Sequence, residues 1–199
     1  MMEEGDSDIP SRSCHVLRRT LGRVIVGLEK YHRRSLEEKM ETSHAPPEQM
    51  FALLYGPLYI TLDNGLIVGA GSDPSLASVV IGIEQHELGA VSPVSVKYPV
   101  RSSPAFHRVD VLDPVYSNDT MRSFLNKRIE TFRLYERCPA NASLAARPRE
   151  AALVLVCEGN RELILSHGLH DDSDDFSVLT WDMVLPELVP QLHEIPLAL

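Results

Sequence analysis

The chain predicts an α+β fold, mainly antiparallel β-sheet built from two pseudo-repeats with short helices. Three observations carry this. Residues 58–62 (LYITL) and 66–70 (LIVGA) flank Asp63-Asn64-Gly65, and residues 152–157 and 162–166 flank Glu158-Gly159-Asn160. Asn and Gly tolerate the positive φ angles of tight hairpin turns, so both stretches read as β-hairpins. Helical periodicity is confined to a few short segments. The order helix, strand, loop, hairpin, aspartate-containing turn, strand occurs twice.

The two occurrences align without gaps where they begin. LGRVIVGLEKY (21–31) matches LNKRIETFRLY (125–135), with Leu21, Ile25 and Tyr31 over Leu125, Ile129 and Tyr135. LIVGAG (66–71) resembles LILSHG (163–168), and Ser78-Val79 echoes Ser177-Val178. A unit this small buries its apolar face poorly alone, whereas two packed together share one core. The expected organisation is a tail at 1–12 and a single domain at 13–199. Its two pseudo-repeats, 13–85 and 117–184, are joined by a proline-rich bridge at 86–116.

In chain order, residues 1–12 are polar and acidic and read as disordered. Ser13 is placed to cap a short helix ending near Leu21. Residues 23–31 are rich in β-branched side chains and read as a strand. Residues 32–49 form an exposed, mixed-charge connection ending at Pro46-Pro47, with a helical piece over 36–40. The first hairpin follows, then a GSDPS turn (71–75) and a third strand at 76–83. Pro93, Pro99, Pro104 and Pro114 make the bridge irregular, with β-prone pieces at 94–100 and 107–113. Asn118 and its neighbours offer a cap for a helix over 120–125. Residues 127–136 alternate imperfectly, as in an edge or twisted strand. After the second hairpin, GLHDDSDD (168–175) is an acidic turn and FSVLTW (176–181) a strand. A short helix over 183–192 is limited by Pro186 and Pro190, and 194–199 suits a docked strand.

Net charge is −9, and it is unevenly placed. Residues 150–199 hold ten acidic side chains against Arg161 alone, leaving 18 of each sign in residues 1–149. A one-sign surface repels nucleic acid and membrane phosphate and steers a basic partner, although acidic surfaces also serve solubility. Residues 1–15 have neither the basic start nor the apolar stretch of a signal peptide, and no apolar run approaches the roughly 20 residues that span a bilayer. Cys14, Cys138 and Cys157 lack metal or redox spacing and read as free thiols of a reducing compartment. The expectation is a cytoplasmic protein bound to neither nucleic acid nor membrane. Asn141-Ala142-Ser143 then matches a glycosylation acceptor by chance.

No catalytic motif stands out, and no enzyme activity, cofactor or metal is expected. His167, His170 and the aspartates after them could ligate a cation, but their spacing fits neither an EF-hand loop nor a zinc helix. The plainer reading is a solvated turn or an acidic patch that meets a basic partner. Residues 69–73 (GAGSD) resemble a glycine loop, but no helix follows to hold phosphate, so a tight turn explains them better. Cys157 lies in an apolar strand and reads as core. Trp181, the sole tryptophan, either packs in the core or anchors an interface.

YGPLYITLDNGLIVG, LNKRIETFRLYE and REAALVLVCEGNRELILSHGLHDDSDDFSV resemble phrases of the immunity proteins of bacterial polymorphic toxin systems. The resemblance implies a small cytosolic α+β protein, without catalytic residues, that binds and neutralises a cognate toxin. The acidic C-terminal quarter would suit a basic toxin such as a nuclease. The expected partner contacts are Asp171, Asp172, Asp174 and Asp175, with Glu158 and Glu162 behind them. Two other classes stay open: an enzyme with dispersed catalytic residues, and a self-associating structural or regulatory protein.

Overall fold

Alternation along the strands decides the architecture. In β2 (Leu58–Leu62) the side chains of Leu58, Ile60 and Leu62 enter one core, while Tyr59 joins a separate cluster on the other face. In β7 (Glu150–Cys157) Leu153, Leu155 and Cys157 enter that same core, while Ala152, Val154 and Val156 join a second cluster. Two sheets patterned in this way bury their matching faces against each other.

The computed structural model describes residues 8–42, 45–85, 105–139 and 141–199. The fold is α+β, with two antiparallel five-stranded sheets and a few short helices. The first sheet contains β1 (Ile25–His32), β2, β3 (Ile67–Asp73), β4 (Ser78–Gln85) and β5 (His107–Asp110), in the order β4-β3-β2-β1-β5. The second contains β6 (Ile129–Arg137), β7, β8 (Arg161–His167), β9 (Phe176–Leu179) and β10 (Leu192–Ile195), in the order β10-β6-β7-β8-β9. Each sheet is thus a four-strand meander whose fifth strand returns beside the first. The sheets meet through β3 and β4 against β7 and β8. The shared core includes Val68, Val79, Ile81, Leu153, Leu155, Leu163, Leu165 and Val178. Full burial of each such side chain contributes about 1.5–3 kcal/mol.

The two sheets also bond to each other directly. Gly22 N–H donates to Ile129 C=O (2.8 Å), and Asn126 N–H donates to Ile25 C=O (2.8 Å). Ile25 N–H donates to Lys127 C=O (2.9 Å), and Ile129 N–H donates to Arg23 C=O (2.8 Å). Val24 and Arg128 face each other at the centre as an antiparallel bridge. Under the alignment of Ile25 with Ile129, each of these bonds maps onto its partner, as at a two-fold axis. Gly22 (φ +74°) and Asn126 (φ +61°) are equivalent under that alignment, and both take the left-handed conformation open to glycine and asparagine. Both strands also shift register at equivalent places, between Ile25 and Gly27 and between Ile129 and Thr131. The second shift explains the imperfect alternation of residues 127–136. That strand is no edge, because β7 and β10 flank it.

Several sequence expectations are revised. Part of the expected tail is ordered: Asp8 bridges to Ile81, Ile9 is buried against Val80, and Ser11 bonds the Glu150 carboxylate through its N–H and hydroxyl. One buried isoleucine and a carboxylate acceptor suffice to pin this short segment. Ser13 does not cap α1 (Cys14–Thr20); its hydroxyl donates to Asp8 C=O at 3.3 Å. Residues 71–73 continue β3, so the GSDPS turn begins only at Pro74. Pro186 and Pro190 prevent a helix at 183–192, where the chain makes 3-10 turns at Trp181–Met183 and Val189–Gln191. The fifth strands β5 and β10 lie beyond the spans 13–85 and 117–184. The β-prone piece at 94–100 and residues 1–7 of the tail lie outside the described residues. The smaller helices are α2 (Leu36–Thr42), α3 (Met50–Leu53), α4 (Asp119–Arg122) and α5 (Ala142–Ala145). Asn118 and Asn141 cap α4 and α5 by accepting from Met121 N–H and Leu144 N–H.

Lys30 breaks the apolar pattern of the core. It aligns with Leu134, and both are fully buried. Its Nζ donates to the carbonyls of Leu54 and Ala52 at the end of α3 and lies 5.1 Å from the centre of the Phe176 ring. Burial lowers its pKa from 10.5 to about 7, against the opposing pull of Asp175. Between those two values the unfolded chain binds a proton that the native state does not. Stability from this group therefore rises with pH across that window, and the burial cost is fully felt below it. Lys30→Met should stabilise the fold by on the order of 1–3 kcal/mol at about pH 6. At about pH 10 the gain should vanish or reverse, because a neutral amine still bonds two carbonyls that Met leaves bare. Urea titrations of both proteins at the two pH values measure this, and a pH-independent difference would contradict it.

Candidate functional site

The acidic side chains expected to act together are not together. Residues 158–160 and 168–175 lie at opposite ends of β8, whose seven residues span roughly 20 Å. Glu158 and Glu162 therefore stand apart from the four aspartates.

The aspartate loop is tied down and partly neutralised. Gly168 N–H donates to Asp175 C=O (2.9 Å), and Asp172 N–H donates to Gly168 C=O (3.1 Å). Asp172 pairs with Arg137 at 2.6 Å. Ser173 N–H donates to Asp171 Oδ1 (3.2 Å), which turns that carboxylate back into the loop. Asp175 is half-buried, and burial raises its carboxyl pKa above the usual range. Asp171, Asp172 and Asp174 remain exposed. No cluster of three or more His, Cys, Asp or Glu side chains suited to a metal occurs among the described residues. His170 turns away, its Nδ1 3.2 Å from Met183 C=O, while His167 Nδ1 bonds the Ser72 hydroxyl.

Ser72, His167 and Asp174 bring a serine, a histidine and an aspartate into sequence-distant contact. The geometry is that of a latch. Asp174 Oδ1 is 3.7 Å from His167 Nε2, beyond hydrogen-bond range, and its side chain is 78% exposed. Burial lowers the His167 pKa, so near neutral pH the imidazole is uncharged and the contact is no salt bridge. Nor is Asp174 hydrogen-bonded to the imidazole, the support on which a serine hydroxyl, far less acidic than a thiol, relies for activation. The contact instead clips the loop, through β8, to β3 of the other sheet.

At the opposite end of β8 lies a cleft of about 340 Å³. Its walls come from three places. Thr120, Ser123 and Phe124 lie on and after α4, Asn160, Arg161 and Glu162 open β8, and Thr180 and Trp181 follow β9. Trp181 is half-buried: it packs against the outer cluster of the second sheet and also forms part of this wall. Its indole N–H donates to Glu162, whose other oxygen pairs with Arg133 at 2.9 Å. Tyr135 meets the indole edge-to-face at 5.6 Å, and its hydroxyl donates to Glu194 at 3.2 Å. Burial, then Glu194, raises the Tyr135 pKa, which keeps that hydroxyl a donor. Arg161 is exposed and donates to the Ser123 hydroxyl. The Thr180 hydroxyl is buried without a hydrogen-bond partner among the described residues. The cleft therefore offers an aromatic wall and a guanidinium. Its volume is in the range of ligand and side-chain pockets, about 300–1,000 Å³.

No protein-family model, curated protein or solved structure matches this chain. Geometry and chemistry alone must identify the site. Glu162 is the one expected contact that lines the cleft, and Glu158 is exposed on the adjoining turn. Arg161, Tyr135 and Arg133 are not among the contacts expected from sequence. A usable signal existed in Arg161, the sole basic residue of the last quarter. No helix among the described residues is long and apolar enough to cross a membrane. Cys157 is fully buried, and burial pushes its thiol up to about 12.

One glycine tests the loop. At Gly168 φ is +70°, and a Cβ would sit 2.2 Å from Ser173 C=O. Gly168→Ala should cost about 1–3 kcal/mol, read as a lower urea midpoint, and should increase proteolytic nicking within 168–175. A variant as stable and as resistant as the parent would show that the loop is not built around this approach.

Proposed function

We propose that this chain is a stoichiometric binding protein that neutralises a protein partner, an immunity protein against a cognate bacterial toxin. One observation carries the reading: Trp181 and Arg161 line one cleft, and Tyr135 and Arg133 back it through their contacts with Trp181 and Glu162, all four being of the residue types that dominate binding hot spots. Trp and Tyr supply contact area with little rotamer entropy to lose, and arginine adds directional donors. Exposed Glu158, Asp182 and Glu194 surround them. Aromatic anchors inside a charged rim suit a protein surface better than a small substrate. The rim favours a partner with basic groups, such as a nuclease that itself attracts phosphate.

The aspartate loop takes a different role in this reading. Asp171, Asp172 and Asp174 add long-range attraction, while affinity resides in the cleft.

Two predictions separate these roles. Trp181→Ala should weaken binding to the toxin domain encoded beside this chain by about 30-fold or more, since hot-spot truncations cost at least ~2 kcal/mol. It should also abolish rescue of growth when chain and toxin are co-expressed. Failure of the parent chain to rescue growth or bind would overturn the reading. Replacing Asp171, Asp172, Asp174 and Asp175 together by Asn should instead slow association at low salt and leave dissociation nearly unchanged. Stopped-flow mixing at two ionic strengths reads both rates, and an unchanged association rate at low salt would remove the loop from the mechanism.

A further inference from the structure

We propose that Cys138 and His193 form a nucleophilic thiol site that takes up low-molecular-weight disulfides. The pair is 55 residues apart in sequence and is joined by the fold. β10 runs antiparallel to β6 with Leu192 opposite Arg137 and His193 opposite Glu136. Beyond the last pair, Cys138 N–H donates to Gln191 C=O (2.8 Å), and Arg137 Nε donates to Gln191 Oε1 (3.1 Å). These bonds fix both backbones, and Cys138 Sγ then lies 2.8 Å from His193 Nε2. Both side chains are exposed. A nucleophile in contact with a base, open to solvent, has the arrangement required of an activated thiol.

The other two cysteines set the contrast. Cys157 is fully buried and held as a thiol. Cys14 is half-buried, and its Sγ faces the carbonyls of Ser11 (3.3 Å) and Pro10 (3.9 Å), which accept its proton as a hydrogen bond but cannot remove it. Only Cys138 has a base at its sulfur among the described residues.

The chemistry balances with one co-reactant, a disulfide RS–SR. The Cys138 sulfur attacks one sulfur of the reagent, a new S–S bond forms, and the old one breaks. The thiol proton passes to His193 Nε2 and then to the departing thiolate, which leaves as RSH. Cys138 is oxidised to the mixed disulfide, and one half of the reagent is reduced.

The test uses the full chain and dithiobisnitrobenzoate. The first equivalent of released thionitrobenzoate should correspond to an adduct at Cys138, located by peptide mass mapping. Cys138→Ser should abolish this fast phase. His193→Gln should slow it by about tenfold or more, as loss of a general base does. Cys138 should also react faster in the native protein than in guanidinium-unfolded chain, a comparison that needs no variant. A first adduct at Cys14, a native rate no faster than the unfolded one, or a His193→Gln rate within about twofold of the parent would each overturn the proposal.

Discussion

The reciprocal exchange of backbone bonds between residues 22–25 and 126–129 is the constraint on which the rest of the structure depends. Four N–H groups and four carbonyls at the starts of β1 and β6 satisfy one another across the two sheets. Because strand side chains alternate with a period of two, this pairing fixes which face of each sheet turns inward. Slipping it by one residue would turn Leu28 and Phe132 out of the core. The glycine and asparagine at positions 22 and 126 matter for the same reason: each turns its chain into the exchange through a positive φ that most residues avoid.

Once the inner faces are set, the outer faces are left to be covered differently. On the first sheet, Tyr31 and Tyr59 pack edge-to-face at 5.2 Å with Ile67 beside them. On the second, Leu169 from the β8–β9 turn and Val184 and Leu188 from the chain after β9 close the outer face. Trp181 lies at the margin of that cover, where the segment leaves β9, and so stays half-exposed. Lys30 marks another difference between the halves, since Leu134 fills the matching slot with hydrocarbon. Retaining an amine there costs stability at neutral pH, offset in part by two carbonyls and the Phe176 ring.

The α+β class and most strand positions were legible because turn residues and apolar alternation act locally. LYITL, DNG and EGN carry their own conformational preferences, and β2 covers the very residues 58–62 that alternation marks. The candidate site was less legible because its parts meet only through tertiary structure. Arg133 meets Glu162 across β6, β7 and β8, and Trp181 reaches Glu162 only after the chain leaves β9. Nothing near any of these residues in sequence signals the others. The aspartate run had the opposite difficulty. Its charge is conspicuous in sequence, but Arg137, from another strand, takes up part of it. Residues 8–12 failed for a third reason: composition shows that a segment is polar, not that a single isoleucine finds a slot beside Val80.

On the proposed binding role, these differences argue for where recognition would reside. The features that the halves share, the crossing strands, the equivalent register shifts and the matched strand order, all serve the core, and a core alone distinguishes no partner. Features without a counterpart in the matching stretch are the Trp181–Glu162–Arg133 chain, the Arg161 guanidinium and the latched acidic loop. The latch holds its loop against β3, so the loop's charge is presented on a fixed frame at one end of β8. The cleft occupies the other end, braced by bonds from three strands. A partner drawn by the first would still need a side chain shaped for the second. In the proposed complex such an arrangement would separate the rate of encounter from the strength of binding, because long-range charge governs association and close packing governs escape.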